Sequence, residues 1–432
     1  MKSIKFLTLL ILTAFLSCEK DEQEKDQFLL SLNSLDGVEA SKFSAPQNFK
    51  AGYELNISQP LDHNNPGSST FNQKVYIYHH SESAPVVFGP SGSTASSIDS
   101  AEVALALEAN QIMVTHRYVE GSEPSKLNWD YLTIEQSAAD HHKIVEKMKE
   151  VYEGPWISVG RKNNAFTALA HKRFYPDDVS AVIAYVTPFY NGIWDLRPQQ
   201  YFKELSSDAC YKKLEQIQLE LLKRKDEIIV DFQNYLGTSR YEWNMGYEKI
   251  YELAVISYPS TFWQYHDSFC DLIPDTTATN EELFGHLIDY VSMERFSSEY
   301  ITYYHPIVYQ QLTEIGASGY QMEHLADYLD KVPVGSTDQN SYLETMAPAA
   351  SITYHPEVNQ DIYNWLVTQG NNIIYIYGED DPFTACAIEL TGETNALKLI
   401  QEGVNRSVKL KSLDQKNMVL TKIEEWMGET SE

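Results

Sequence analysis

Short, continuous apolar runs alternate along this chain with stretches in which apolar residues recur every three or four positions. The runs "KVYIYHH" from Lys74, "APVVFGPSG" from Ala84 and "NQIMVTHRY" from Asn110 read as strands punctuated by Gly, Pro and Asn. Residues 133–152 read as an amphipathic helix, Trp156 to Val159 as a buried strand, Asn164 to Phe174 as a helix, and "VSAVIAYVTPF" from Val179 as another strand. Strands without a polar face, separated by helices, predict a mostly parallel sheet covered on both faces, an α/β class. From about residue 191 to 350 the pattern becomes long helical stretches such as "CYKKLEQIQLELLKRKDEIIVDFQNYL", which predicts a helical cap inserted into the core. The sheet is expected to resume with "NNIIYIYGEDDP", followed by a helix over "NALKLIQEG", a strand over "RSVKLKSL" and a closing helix to Gly428. No internal repeat is evident.

The amino terminus changes the picture of where the chain resides. Lys2 and Lys5 precede an apolar run from Ile4 to Leu16, too short to span a bilayer and typical of a signal peptide core. Cys18 and the charged stretch after it resemble a bacterial lipoprotein signal, which would make Cys18 the lipidated first residue of an exported protein. The expected division is a signal peptide over 1–17, a lipidated polar tether over 18–45, the first part of the core over 46–190, the cap over 191–350, and the second part of the core over 351–432. The formal charge of −28 on 432 residues excludes nucleic acid and anionic headgroups as partners, leaving the lipid anchor as the sole membrane contact expected. Cys210, Cys270 and Cys386 lack metal-ligand spacing, and Cys210 with Cys270 is the pairing suggested if a disulfide forms. Neither a metal nor any other cofactor is expected.

The stretch "GPWISVGRKNNAFTALAHKRF" has the strand, tight turn and helix of a nucleophile elbow, whose usual pattern in α/β-hydrolases is Gly-x-Ser-x-Gly. Here the five positions are Gly160, Arg161, Lys162, Asn163 and Asn164. Lysine stands where the serine belongs, and Asn164 where the second glycine belongs. The same fold orders its triad as Ser, then Asp or Glu, then His. Asp381 follows a late strand, as the acid should, but the last histidine in the chain is His355. Two of the three catalytic groups are therefore absent for independent reasons.

The sequence resembles the bacterial secreted prolyl tri/tetrapeptidyl aminopeptidases, serine peptidases with an α/β-hydrolase core and a helical cap. The resemblance is carried by "QPLDHNNPGSSTFNQKVYIYHH", "THRYVEGSEP", "WDYLTIEQSAADHHKIV", "WISVG", "FYPDDVSAVIAYVTPF", "FWQY" and "YGEDDPF", in that order from about residue 50 to 415. It implies that Lys162 occupies the nucleophile position and that Arg406, or Asn405 if the register slips by one, occupies the histidine position; Asp381 alone carries over. Ser91, Gly92 and Ser93 fall in the loop where such hydrolases place oxyanion-hole amides. Glu120, Glu123 and Asp130 lie near the loop expected to meet a substrate's amino terminus, and the tyrosines Tyr303, Tyr304 and Tyr309 are candidates to line a groove. Adjacent histidines His141 and His142 point about 100° apart on a helix and make a poor metal site. His116 is expected to pack or hydrogen-bond near a strand end.

Losing the nucleophile or the base each costs roughly 10⁶ in kcat, so the expected activity is that of an inactive serine peptidase that still binds peptides between core and cap. Asp381 is expected to form an ion pair with Arg406 or Lys162, unless those cations instead receive a peptide carboxylate or another anion. Two alternatives stay open: an active peptidase or other hydrolase with an unrecognised nucleophile, Ser91 or Ser158, and a surface scaffold lipoprotein.

Overall fold

A computed structural model describes residues 26–65, 67–90, 98–119, 121–205, 207–265, 270–346 and 352–428. Cys18, Ser91, Gly92, Ser93 and Glu120 lie outside the described residues. Among the described residues there are nine strands: β1 Val38–Phe43, β2 Ala51–Pro60, β3 Thr70–His79, β4 Val86–Pro90, β5 Asn110–Val114, β6 Trp156–Arg161, β7 Ala181–Tyr185, β8 Ile373–Gly378 and β9 Leu397–Gln401. They form one sheet in the order β1-β2-β3-β5-β4-β6-β7-β8-β9. The first three pairings are antiparallel and the remaining five, from β5 to β9, are parallel.

The period-two geometry of the strands divides the core between two faces. In β7, Val182 and Ala184 face a cluster that includes Phe166 and Leu169 of the helix Asn163–Phe174 and Ile362 of the helix Pro356–Thr368. Ile183 and Tyr185 face the opposite cluster with Val419 and Ile423 of the closing helix Lys416–Gly428. Both faces are buried, which is why these strands carry no polar alternation.

Between β7 and β8 lies a set of helices with its own apolar cluster, including Leu214, Phe232, Tyr251 and Leu287. Its longest helices are Asp208–Lys223, Lys225–Gly237, Tyr247–Tyr265 and Ser298–Gln310. Cys210 and Cys270 are joined by a disulfide within this set, while Cys386 is a buried free thiol.

Two local expectations are corrected. The polar segment expected to be tether up to residue 45 contains the helix Gln27–Ser34 and the edge strand β1. Phe28, Leu32, Leu35 and Val38 are buried there, and Asp26 caps the helix by accepting from Leu29 N (3.0 Å). An edge strand and a helix that each bury one narrow stripe look polar by composition, which hid them. The second correction concerns "NALKLIQEG", which holds β9 rather than a helix, whereas "RSVKLKSL" is turn and a short 3₁₀ segment at Leu410–Ser412. Leu397 and Leu399, two apart, pack against the sheet cluster, a period of two that a window this short does not separate from a helical one.

Candidate functional site

The turn after β6 has the backbone of an elbow. Lys162 sits between strand and helix with φ 56° and ψ −124°, a conformation that non-glycine residues rarely adopt. A Cβ at Gly160 would lie 2.4 Å from the Asn164 carbonyl oxygen, so glycine is required where the helix presses back on its strand. Asn164 lies within the helix and is not among the residues with positive φ, so the turn places no glycine-only demand on its backbone.

Arg161 secures the next part of the site. Its guanidinium lies 5.0 Å from the Tyr185 ring centroid and donates to the backbone carbonyls of Arg406 (2.7 Å) and Val408. The end of β8 holds the same loop from the other side, because Asp380 N donates to Val404 O (3.0 Å) and Gly403 N to the Glu379 carboxylate (3.1 Å). At Gly378 a Cβ would stand 2.2 Å from the Asn405 carbonyl oxygen. The chain can therefore cross there only over glycine, and the crossing sets residue 406 beside Asp381.

Asp381 is fully buried, caps the 3₁₀ segment Pro382–Cys386 and accepts from Phe383 N (3.1 Å). Arg406 Nη1 stands 3.9 Å from Asp381 Oδ1, beyond the length of a charge-assisted hydrogen bond. The second carboxylate oxygen, Oδ2, has no hydrogen-bond partner among the described residues. Burial raises the Asp381 pKa, and Arg406, the Phe383 amide, Lys162 and Arg161 offset part of that rise. The Arg406 guanidinium also lies 4.5 Å from the Phe383 ring centroid. With the Gln264 amide turned so that its oxygen faces the arginine, that oxygen accepts from Nη1 and Nε of Arg406. Asn405, the alternative register, is engaged elsewhere: its side-chain oxygen accepts from Ser407 N (3.0 Å) and Ser407 Oγ (2.6 Å).

These groups border a pocket of about 140 Å³ lined by Tyr190, Gln264, Arg295, Gln311, Phe383 and Arg406, among others. A larger chamber of about 780 Å³ lies in the cap, and Thr261, Gln264 and Arg295 line both spaces. Arg295 pairs with Asp338, which also accepts from Tyr320 Oη (3.3 Å). Gln264 belongs to the quoted "FWQY" motif, so its presence here had a signal. Arg295 had none, being one arginine in a helical segment.

Glu123 lies elsewhere. It is exposed, accepts from Gly121 N (2.7 Å), and lines a separate cleft of about 710 Å³ with Trp129, Glu242, Glu299 and Tyr303. None of the residues lining that cleft lines the Arg406 pocket. Asp130 is exposed, Tyr304 packs against the cap cluster, and Tyr309 is buried against Trp129. Ser158 is fully buried in β6 and donates to Phe88 O (3.3 Å).

The remaining motifs resolve into scaffold. Arg117, fully buried, donates to both oxygens of Asp140 (2.6 and 2.8 Å), and His63 Nε2 lies 2.7 Å from the same carboxylate. Burial would raise the Asp140 carboxyl, yet Arg117 and His63 together hold it below its usual range. This one cluster ties "PLDHNN", "THRY" and "AADHH" together. Nearby, His116 lies within hydrogen-bonding distance of Arg117 O (2.7 Å) and Ser137 Oγ (3.1 Å). His142 and His171 share Asp178 (2.8 Å each), the second aspartate of "FYPDD". No group of three potential metal ligands occurs among the described residues. Nor is any described helix long and apolar enough to cross a membrane.

Residues 19–431 match the PS-10 peptidase S37 family. A curated relative, the prolyl tri/tetrapeptidyl aminopeptidase of Streptomyces mobaraensis, is 30% identical over 335 residues, covering 76% of this chain and 69% of its own. Among solved structures, a proline iminopeptidase from Mycobacterium smegmatis aligns over 87% of this chain and 100% of its own at 10% identity, with a TM-score of 0.41. VinJ aligns over 87% and 98% at 11% identity, with a TM-score of 0.38. With the family matched along nearly its whole length and the relative along most of it, this chain belongs to the PS-10 peptidase S37 family.

Proposed function

We propose that this protein is an exported, lipid-anchored relative of the tripeptidyl aminopeptidases that has lost serine-peptidase chemistry and binds peptides between its core and its cap. The observation carrying this reading is the side-chain set around Asp381. The elbow residue with strained backbone is Lys162, and the residue facing the acid is Arg406. An arginine has no accessible neutral form with which to accept a nucleophile's proton. A lysine at the elbow would form a stable amide on acyl transfer rather than a hydrolysable ester. Binding between core and cap is supported by the small pocket, which Tyr190, Phe383 and Arg406 of the core line together with Gln264 and Arg295 of the cap, and which shares Thr261, Gln264 and Arg295 with the cap chamber of about 780 Å³.

The deciding experiment measures hydrolysis of fluorogenic tripeptidyl and prolyl-tripeptidyl substrates by the chain from residue 19, beside the Lys162→Ser/Arg406→His double variant. No turnover by the wild type, together with measurable binding of the same peptides, is the expected result. Turnover that serine-directed inhibitors abolish would overturn it. Labelling of Cys18 with a fatty-acid analogue in the producing cell tests the anchor; an unlabelled chain would remove it.

A further inference from the structure

We infer that the remodelled pocket recognises a carboxylate, and that the peptide enters with its carboxyl terminus toward Arg406. The inference rests on the peptide-binding reading above and adds the polarity of the ligand. Among the described residues, two guanidinium groups, Arg295 and Arg406, and one carboxylate, Asp338, are the charged side chains lining the small pocket. Arg161 donates to the Arg406 and Val408 carbonyls beside the pocket, and it and Lys162 act electrostatically on Asp381. On a chain with a formal charge of −28, the described residues lining this pocket thus carry more cationic than acidic side chains.

The two arginines are not equivalent. Arg295 is held tightly by Asp338, whereas Arg406 stands 3.9 Å from Asp381 and gives its donors to the neutral Gln264 amide. A charged acceptor binds a guanidinium roughly twice as strongly as a neutral one, and a carboxylate matches its planar fork with two oxygens. An incoming carboxylate would therefore displace the Gln264 amide from Arg406 without breaking a charged pair. Gln264 also lines the chamber beyond, so its movement joins the small pocket to the larger space. The chamber walls include Tyr235, Tyr241, Trp243, Tyr290 and Tyr300, which suit apolar and aromatic side chains upstream of that carboxylate, together with the acidic Asp289 and Glu294.

The test compares N-acetyl-Ala-Ala-Phe as the free acid and as its carboxamide, with binding to the chain from residue 19 read by calorimetry and product release monitored in the same samples. The acid should bind at least about tenfold more tightly than the amide, the effect of one charge-assisted hydrogen bond. Arg406→Gln should erase that difference, and Arg406→Lys should restore part of it. Gln264→Glu, which places a carboxylate inside the protein, should leave a folded chain that no longer prefers the acid; thermal melting checks the fold of each variant. Equal binding of acid and amide by the wild type, or an acid preference that survives Arg406→Gln, overturns the carboxylate assignment and leaves peptide binding standing. Failure of both peptides to bind, or their turnover, overturns the parent reading instead. Displacement of the peptide acid by decanoate at equal concentration overturns the peptide as the source of the carboxylate.

Discussion

Arg406 faces Asp381 across 3.9 Å in a site where both side chains are almost wholly buried. At that range the attraction between two such charges is about 4 kcal/mol for an effective dielectric near 20, before the desolvation of either group is counted. Arg406→Ala should destabilise the fold by about 1–3 kcal/mol, less than a fully bonded buried pair because Lys162 and Arg161 still act on the carboxylate. Adding Asp381→Asn should recover most of that loss. A double-mutant cycle by urea unfolding gives the coupling, and an additive cycle would show that the two charges do not interact.

Lys162 holds the strained backbone of an elbow with a lysine side chain. A non-glycine residue at φ 56° and ψ −124° carries of order 1–3 kcal/mol of backbone strain. Lys162→Gly relieves it, while making the unfolded chain more flexible and removing one cation near Asp381. The expected net effect is a gain of about 1 kcal/mol in unfolding free energy, read from the urea midpoint. A loss of stability would mean that the Lys162 charge outweighs the strain.

Arg117 and Asp140 form the most enclosed ion pair described in the core, and His63 completes it. Removal of one partner leaves a buried charge without compensation, which costs about 3–5 kcal/mol. Arg117→Met and Asp140→Asn should each lower the melting temperature sharply or prevent accumulation of folded chain. Arg117→Met combined with Asp140→Leu should be milder than either alone. The same order is expected in guanidinium midpoints.

Glu314 supplies a pH dependence. Its buried carboxyl accepts from Ile134 N at the start of the helix Ile134–Met148 (2.7 Å), and burial pushes its pKa up from 4.5 to about 7. A carboxyl whose folded pKa is raised favours the folded state most below its unfolded value, and that advantage disappears as pH climbs through the folded value. The group should therefore lower stability progressively between about pH 4.5 and pH 7 and contribute a constant deficit above. Glu314→Gln keeps an acceptor for Ile134 N, so at pH 8 it should be more stable than wild type by up to about 3 kcal/mol, and equal to it near pH 4. Parallel stability curves across that interval would refute the assignment.

The sheet was legible where both faces of a strand are buried, as in β4 and β7, because burial on two sides leaves an unbroken apolar run. It was hidden at the edges: β1 exposes Glu39, Ser41 and Lys42, β9 is only partly buried over Leu397–Leu399, and the two read as tether and as helix. The site showed the same division. Gly160, Lys162 and Asp381 were readable because backbone sterics and chain order constrain which residue types they can be. Sequence alone left Arg406 and Asn405 as candidates for the place beside the acid, and in the fold it is Arg406 that stands 3.9 Å from Asp381. Arg295 and Asp338 come near Arg406 only through the fold of the cap, and no local rule of sequence spacing encodes that approach.

The insertion of the cap also has a consequence for how the chain is made. β7 finds its partner β8 only after the whole cap has intervened, Ile183 pairing with Ile374. Until β8 docks, β7 is an open parallel edge with apolar faces, the kind of surface that recruits foreign strands. The cap has its own apolar cluster and a disulfide with both ends inside it, so it can compact before β8 arrives. Early compaction of the cap shortens the effective loop that must close, so a domain with no strand of this sheet among its described residues eases the sheet's assembly.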